Sequence, residues 1–260
     1  MQNVLSIRGG GIRGIIPFCC LIQLEAQLDG LTREHINYCA GTSTGALLAA
    51  AVAAGVPASQ LPTVYTPRSQ ERFTPTGIAA DGKHIIHGFR YDPQNLHNVV
   101  VSVFGAAANW TVNDCPIGVM ISATAMNGHN WFFVKDNARN KGTTDVTPVP
   151  AGTKLSYSKT STQAWYAGLA VPSLGTGFYP ASSTAPKGLL QSIEWTTSTL
   201  VDTCDDWVDC AAARQWPGVR ETLNPELPSD IDEADLSAIP TLVQIGQKMA
   251  AAMDWKQILG

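Results

Sequence analysis

Two glycine-rich turns, each lying between a short apolar run and a longer one, most constrain what this chain can fold into. The first turn occupies residues 9–14 and leads into Ile15–Leu28, where apolar residues recur at helical spacing. The second occupies residues 41–45 and leads into an Ala/Leu/Val run at residues 46–54. Repeated strand–turn–helix units favour parallel strands, because a connecting helix returns the chain to the edge of the sheet where it began.

The rest of the chain continues this alternation of strand-length and helix-length apolar runs. Residues 137–163 interrupt it, because they are polar, rich in turn-forming residues and without an apolar period. The alternation predicts an α/β fold with a largely parallel, buried sheet. The predicted strands lie at residues 4–7, 36–40, 117–123, 131–134 and 169–174, and the predicted helices at residues 15–28, 46–54, 95–104 and 238–253.

Composition excludes several classes of function. The 260 residues are 45% hydrophobic with a formal net charge of −4 and no dense Lys/Arg run, which predicts a buried core and no nucleic-acid partner. The first residues lack the basic start and long apolar stretch of a signal peptide, and the apolar run at 46–54 is too short to span a bilayer. We therefore expect a cytoplasmic protein, with at most a transient contact with a membrane surface.

The six cysteines include no C-x-x-C pair, so a structural zinc site is not expected. Several of them lie in apolar runs, which is typical of buried free thiols. The five histidines all precede residue 130. An ordinary α/β-hydrolase triad needs a histidine late in the chain, so the sequence disfavours that arrangement. No metal and no cofactor are predicted.

The second turn reads Gly-Thr-Ser-Thr-Gly, the Gly-x-Ser-x-Gly pattern of a nucleophile elbow. Gly41 and Gly45 suit the sharp turn because they carry no Cβ. Such a turn exposes the hydroxyl of Ser43 and places a helix N-terminus behind it, where partial positive charge favours a developing oxyanion. The alternative is a tight turn in which Thr42 or Ser43 simply caps the helix.

The first turn reads Gly-Gly-Gly-Ile-Arg-Gly. The consecutive glycines Gly9, Gly10 and Gly11 allow backbone N–H groups to converge on an anion, and Arg13 adds a fixed positive charge. No Gly-Lys-Ser/Thr follows, which excludes a P-loop, but Gly-x-Gly-x-x-Gly leaves a dinucleotide site as an alternative. In a parallel sheet both turns open at one edge, so one can supply a nucleophile and the other the oxyanion donors.

Together the turns resemble the motifs of the patatin-like phospholipase family. Residues 9–14 resemble its glycine-rich oxyanion motif, residues 41–45 its nucleophile motif, and Ser-Leu-Gly-Thr-Gly at residues 173–177 a later strand-end motif. Tyr-Asp-Pro at 91–93 and Leu-Asn-Pro-Glu-Leu at 223–227 also follow the family's order, so the similarity spans most of the chain. The resemblance implies a three-layer α/β/α sandwich with a mainly parallel central sheet.

The resemblance also implies a function: hydrolysis of acyl esters of phospholipids, lysophospholipids, galactolipids or neutral lipids by a Ser–Asp dyad. By position, Ser43 matches the nucleophile, and Gly10 and Gly11 match the oxyanion loop, with Gly9 and Arg13 in its support. The expected partner is a lipid or small ester substrate.

Two departures from the family pattern are present. Arg8 stands where the family usually has Asp before the glycines. The family's Asp-Gly turn, which carries the catalytic Asp, is missing before residue 173, and residues 135–168 look irregular or shortened within a single predicted domain of residues 1–260. Catalytically defective lipid binding on the same fold is therefore the alternative function. The carboxylates considered for the dyad are Asp145 and Asp202, and the Asp-Gly pairs at Asp29 and Asp81 lie at the wrong chain positions.

Overall fold

The strand-length runs form one sheet in the computed structural model, which describes residues 2–65, 93–124, 130–135, 148–149, 169–176, 220–227 and 236–259. Within these residues the sheet has seven strands, which pair in the order β5-β4-β3-β2-β1-β6-β7 when numbered along the chain. They are β1 (Gln2–Ile7), β2 (Tyr38–Gly41), β3 (Gly118–Thr124), β4 (Asn130–Lys135), β5 (Pro148–Val149), β6 (Leu169–Leu174) and β7 (Arg220–Leu223).

Helices connect and cover the strands. They are α1 (Ile15–Leu28), α2 (Thr32–His35), α3 (Thr44–Ala54), α4 (Pro93–Phe104), α5 (Ile239–Ala251) and α6 (Trp255–Leu259). Shorter 3₁₀ segments occur at Gly11–Gly14, Ala58–Tyr65, Gly105–Asn109, Val112–Asp114 and Leu236–Ala238.

The strand register brings four strand ends to one level. β3, β2, β1, β6 and β7 run parallel, while β4 and β5 pair antiparallel at one side. Ile7 lies opposite both Gly41 and Leu174, and Leu174 lies opposite Leu223. The segments that follow β2, β1, β6 and β7 therefore leave the sheet side by side at its carboxyl edge, where parallel sheets bind ligands.

Helix α1 lies in the core and packs against α5. Leu21 and Leu24 are fully buried, and Gly246 allows close approach, since a Cβ there would lie 2.9 Å from Cys19 Sγ. Within the described residues, the stretch Gly11–Leu28 has the length and mean hydropathy (1.2) of a membrane span, and 61% of it is buried in the fold. Packing within the core accounts for this apolar character.

The cysteines that the structure describes are free and buried, as predicted. Burial raises the pKa of the Cys19 thiol to about 11 and that of Cys20 to about 12. Burial also raises the pKa of Cys39, on the strand that leads to Ser43. Thiols held protonated in this way are poor nucleophiles. Cys204 and Cys210 lie outside the described residues.

The predicted α/β class, with a mainly parallel central sheet and helices packed around it, is confirmed. Several details differ from the prediction. Strands β5 and β7 were not predicted, because β5 has only two residues, within a segment that carries no apolar period, and β7 has only four. The helix predicted at residues 238–253 ends at Ala251, and the chain turns before α6 begins at Trp255. The one-turn α2 was not predicted, because four residues carry no detectable period. The single domain, with its irregular residues 135–168, stays a prediction, because most of that segment lies outside the described residues.

Candidate active site

The turn between β2 and α3 holds Ser43 in a backbone conformation that side chains rarely adopt. Its φ of 53° and ψ of −125° lie outside the regions open to residues with a Cβ. Such a conformation costs about 1–3 kcal/mol and persists only where the surrounding structure enforces it. Among the described residues, Asp29 is the only other non-glycine residue with a positive φ. Strain is thus present at the serine that the Gly-x-Ser-x-Gly pattern singles out.

The glycines on either side of Ser43 make this turn sterically accessible. A Cβ on Gly41 would strike the carbonyl group of Gly45, and a Cβ on Gly45 would lie 2.5 Å from the carbonyl oxygen of Arg8. These neighbours are backbone atoms that cannot rotate away, so only glycine fits at either position. As a result α3 begins directly against the end of β1.

The hydroxyl of Ser43 does not cap α3, although Ser43 occupies the N-cap position. It makes no side-chain capping hydrogen bond, and the residue is exposed. The hydroxyl of Thr42 is engaged elsewhere, because its Oγ1 accepts a hydrogen bond of 3.0 Å from Ser122 Oγ on β3. The capping alternative is therefore wrong for this turn, and the Ser43 hydroxyl is accessible to a ligand.

Helix α3 contributes N–H groups directly behind Ser43. The carbonyl oxygen of Ser43 accepts hydrogen bonds from the N–H groups of Ala46, at 3.0 Å, and Leu47, at 3.3 Å. The N–H groups of Thr44 and Gly45 precede these and have no acceptor within the helix. Thr44 was not among the site residues predicted from the sequence. The motif itself could have found it, because the residue after an elbow nucleophile supplies an oxyanion N–H.

The first glycine turn lies directly against Ser43. A Cβ on Gly9 would be 2.8 Å from both Ser43 Cβ and the carbonyl oxygen of Thr42. Gly10 and Gly11 have φ values of 156° and 55°, and both residues are buried. Within the described part of the chain their N–H groups donate no hydrogen bond. Because buried N–H groups are nearly always paired in folded proteins, these two suit a carbonyl or anionic ligand beside Ser43.

The end of β6 holds the glycine turn from the other side. Thr176 Oγ1 donates a hydrogen bond of 2.7 Å to the carbonyl oxygen of Gly9. The N–H of Arg8 donates to the carbonyl oxygen of Leu174 at 3.0 Å. A Cβ on Gly10 would lie 2.5 Å from Thr176 Oγ1, so the turn and this side chain are in close contact. The sequence placed Thr176 in a family motif without giving it a role.

The first turn needs glycine at positions 9 and 10 because neighbouring protein side chains leave no space for a Cβ there. A dinucleotide fingerprint uses its glycines to admit a pyrophosphate and to pack a helix on a strand. Here the space beside Gly9 is taken by Ser43, and the space beside Gly10 by Thr176. These contacts account for Gly9 and Gly10 without a bound pyrophosphate, and the dinucleotide alternative stays a hypothesis.

Arg13 closes the first turn through its backbone. Its N–H donates to the carbonyl oxygen of Gly10 at 2.9 Å within the 3₁₀ segment Gly11–Gly14, and its side chain is buried. That its charge supports the oxyanion loop stays a prediction.

No carboxylate among the described residues hydrogen-bonds to Ser43 Oγ. Asp29 lies just beyond the last residue of α1. Because α1 has 14 residues, Asp29 is about 20 Å along the helix axis from the glycine turn. Asp81, Asp145 and Asp202 lie outside the described residues. The part of the chain that is described therefore contains the serine and candidate oxyanion donors, and leaves the acid unassigned.

Across the same described ranges, no group of three His, Cys, Asp or Glu side chains is arranged to hold a metal ion. The expectation of a cofactor-free site stays a prediction.

Comparison with known proteins shows which family the first part of the chain is similar to. The family model described as patatin-like phospholipase matches residues 5–109, which contain both glycine turns. Patatin-17 from Solanum cardiophyllum is 33% identical over 133 residues, covering 42% of this chain and 34% of patatin-17. The cGAMP-activated phospholipase of Pseudomonas aeruginosa is 34% identical over 136 residues, covering 50% of this chain and 39% of that protein. The chain thus spans little more than a third of the length of these relatives.

Among solved structures, the type III effector protein ExoU is similar over 96% of this chain and 53% of its own, with 12% identity and a TM-score of 0.33. That likeness is too weak to support an argument about the site. The resemblance to the patatin-like phospholipase family that the two turns predict is confirmed by the sequence matches.

Proposed function

We propose that this chain, which matches the patatin-like phospholipase family over residues 5–109, is a serine hydrolase of lipid acyl esters. The observation that carries the proposal is the strained, exposed and non-capping Ser43 at the start of α3, in contact with a turn of buried glycine N–H groups. Strain at a single exposed hydroxyl has no structural benefit that a glycine would not provide better, whereas a nucleophile elbow requires it.

In the proposed reaction Ser43 Oγ attacks the carbonyl carbon of the ester. A general base takes the hydroxyl proton as the new C–O bond forms, and the carbonyl oxygen becomes an oxyanion. The bond to the leaving alcohol then breaks, and the protonated base returns the proton to that alkoxide. A water molecule, deprotonated by the same base, then attacks the acyl-enzyme. The bond between the acyl carbon and Ser43 Oγ breaks, the base returns the proton to Ser43 Oγ, and the fatty acid leaves.

The N–H groups of Gly10, Gly11 and Thr44 are the proposed oxyanion donors. Those of Gly10 and Gly11 are buried, and that of Thr44 belongs to the positive end of α3. Because these donors belong to fixed backbone, they require little reorganisation when charge develops on the carbonyl oxygen. One such donor is typically worth about 10²–10³ in kcat.

The base is proposed to be a carboxylate, and Asp145 and Asp202 are the sequence's candidates. If either is the base, Asp→Asn at that position removes the proton acceptor while nearly keeping the side-chain volume. We expect that variant to lose at least about 10³-fold in kcat. Asp29→Asn is the matched control and should keep full activity, because Asp29 lies at the far end of α1.

A lipid substrate is supported by the relatives' printed names and by the apolar surroundings of α3. The cGAMP-activated phospholipase and an intracellular phospholipase A2 of Caenorhabditis elegans, 29% identical over 110 residues, both carry the activity in their names. One turn beyond Ser43, Leu47 and Leu48 line a small apolar cavity together with Val103 of α4. Val101 on α4 and Trp110, beyond the end of α4, are exposed apolar side chains, and they support the proposed transient contact with a membrane surface.

The test is hydrolysis of a short-chain p-nitrophenyl ester and of phospholipid vesicles by wild type, Ser43→Ala and Ser102→Ala. Ser102 is an exposed serine on α4 whose hydroxyl, among the described residues, donates to the carbonyl of Val99, so it controls for loss of a surface hydroxyl. We expect Ser43→Ala to lose more than about 10³-fold and Ser102→Ala to match wild type. Equal rates for wild type and Ser43→Ala, with vesicle binding retained, would instead support the defective lipid-binding alternative.

A further inference from the structure

We infer that Thr176 is a positioning residue that fixes the orientation of the Gly9–Gly10 peptide and thereby aims the Gly10 N–H at the oxyanion. The inference rests on the proposed function, because it assigns a role within the same oxyanion site. Neither the motif nor the family match gives Thr176 this role.

The hydrogen bond from Thr176 determines the direction of the Gly9–Gly10 peptide group. Thr176 Oγ1 donates to the carbonyl oxygen of Gly9 at 2.7 Å, and no cis peptide bond occurs among the described residues. In a planar trans peptide the C=O and the following N–H point in opposite directions. The N–H of Gly10 therefore points away from Thr176.

Ser43 lies on the side of the first glycine turn opposite Thr176. In the sheet order, β1 lies between β2 and β6, so the turn after β1 has Thr176 on one flank and Ser43 on the other. Gly9 contacts the Ser43 flank, since a Cβ there would be 2.8 Å from Ser43 Cβ. An N–H that points away from Thr176 is thus directed towards the flank where the oxyanion forms.

Without the hydrogen bond from Thr176, the Gly9–Gly10 peptide could rotate. Three consecutive glycines populate both signs of φ, so rotation of the Gly9–Gly10 peptide meets little steric resistance. A rotated peptide would present a carbonyl oxygen to the oxyanion in place of an N–H. Thr176 is only 4% exposed, so its hydroxyl is held inside the fold at the Gly9 carbonyl. As a β-branched residue, Thr176 also has few χ1 rotamers in which its hydroxyl could turn away.

The experiment compares Thr176→Val, which removes the hydroxyl and keeps the shape, with Thr176→Ser, which keeps the hydroxyl. Turnover is measured per active site, counted by fluorophosphonate titration. We expect Thr176→Val to lower kcat about 10–100-fold, less than the loss of a whole donor, with KM changed less than about threefold. Thr176→Ser should stay within about threefold of wild type.

Thr32→Val is the matched control. Thr32 is also a buried threonine whose hydroxyl donates, here at 3.0 Å to Glu25 Oε1, but it lies in α2 away from the site. It should lower the melting temperature and leave kcat per active site unchanged. If Thr176→Val does not fold, Thr176→Ala replaces it as the variant without the hydroxyl.

The outcomes separate the two proposals. The positioning role is overturned if the variant without the hydroxyl keeps wild-type kcat per active site, or if Thr176→Ser loses as much as Thr176→Val. If wild type does not exceed Ser43→Ala in turnover, the proposed function fails and the role of Thr176 fails with it. A loss confined to stability, equal to that of Thr32→Val, would also overturn the positioning role.

Discussion

The two glycine turns follow neighbouring parallel strands and precede helices, yet they place backbone strain on different kinds of residue. In the first turn the positive φ values fall on Gly10 and Gly11, which accept them without steric cost. In the second turn the positive φ falls on Ser43, and the glycines beside it provide space for the backbone. A turn that presents backbone N–H groups can be built from glycine, whereas a turn that presents a hydroxyl must strain the residue that carries it.

The largest effect on stability is expected where the backbone leaves no space. Gly45→Ala in the second turn would push a methyl group against the carbonyl oxygens of Ile7 and Arg8, so it should destabilise the fold by about 3 kcal/mol or more. Urea unfolding measures this. Gly105→Ala is the control for backbone strain without close contact, because Gly105 has a positive φ, which Gly45 lacks, and no atom of the described residues lies within 4 Å of an added Cβ. It should cost only about 1 kcal/mol. A loss at Gly45 no larger than that at Gly105 would contradict the claim that backbone contacts exclude a side chain at Gly45.

A smaller loss of stability, coupled to a loss of activity, is expected in the first turn. Gly10→Ala would place a methyl group 2.5 Å from Thr176 Oγ1 and 2.8 Å from Thr176 Cβ, so the whole Thr176 side chain must be displaced, whereas at Gly45 the obstructing atoms belong to the backbone. We expect about 1–2 kcal/mol of destabilisation and about a 10²-fold lower kcat, because the shift disturbs the proposed oxyanion donor. Chemical unfolding and ester hydrolysis measure the two effects. A variant with full activity would show that the first turn does not contribute the donors.

The smallest effect tests the strain on Ser43 itself. Ser43→Gly should be more stable than Ser43→Ala by about 1 kcal/mol or more, because glycine accepts the φ of 53° and ψ of −125°. The same pair of changes at Asp29, whose φ of 53° and ψ of 69° lie close to the ordinary left-handed region, should give a smaller difference. Denaturation midpoints provide the comparison. An equal or larger gain at Asp29 would contradict the claim that the strain at Ser43 is exceptional.

Much of this arrangement could be predicted from the sequence. Apolar runs with turn residues between them gave β1, β2, α1 and α3 close to their observed bounds, because short buried strands and apolar helices leave clear periodic signals. Glycine spacing identified Ser43 and the first turn, since only glycine tolerates the close contacts on which both turns depend.

Other features had no local signal. The hydrogen bond from Thr176 to Gly9 joins residues 167 positions apart, and it exists only because β6 pairs with β1. The same holds for Ser122 and Thr42, which meet because β3 pairs with β2. Strand order depends on the packing of the whole chain, so a motif search could not assign these contacts.

The most direct test of the central claim is covalent labelling by a fluorophosphonate, followed by intact mass and peptide mapping. We expect one adduct per chain, located on Ser43, and none in Ser43→Ala, because phosphonylation requires an activated hydroxyl beside oxyanion donors. An unlabelled wild-type protein, or an adduct on another residue, would contradict it.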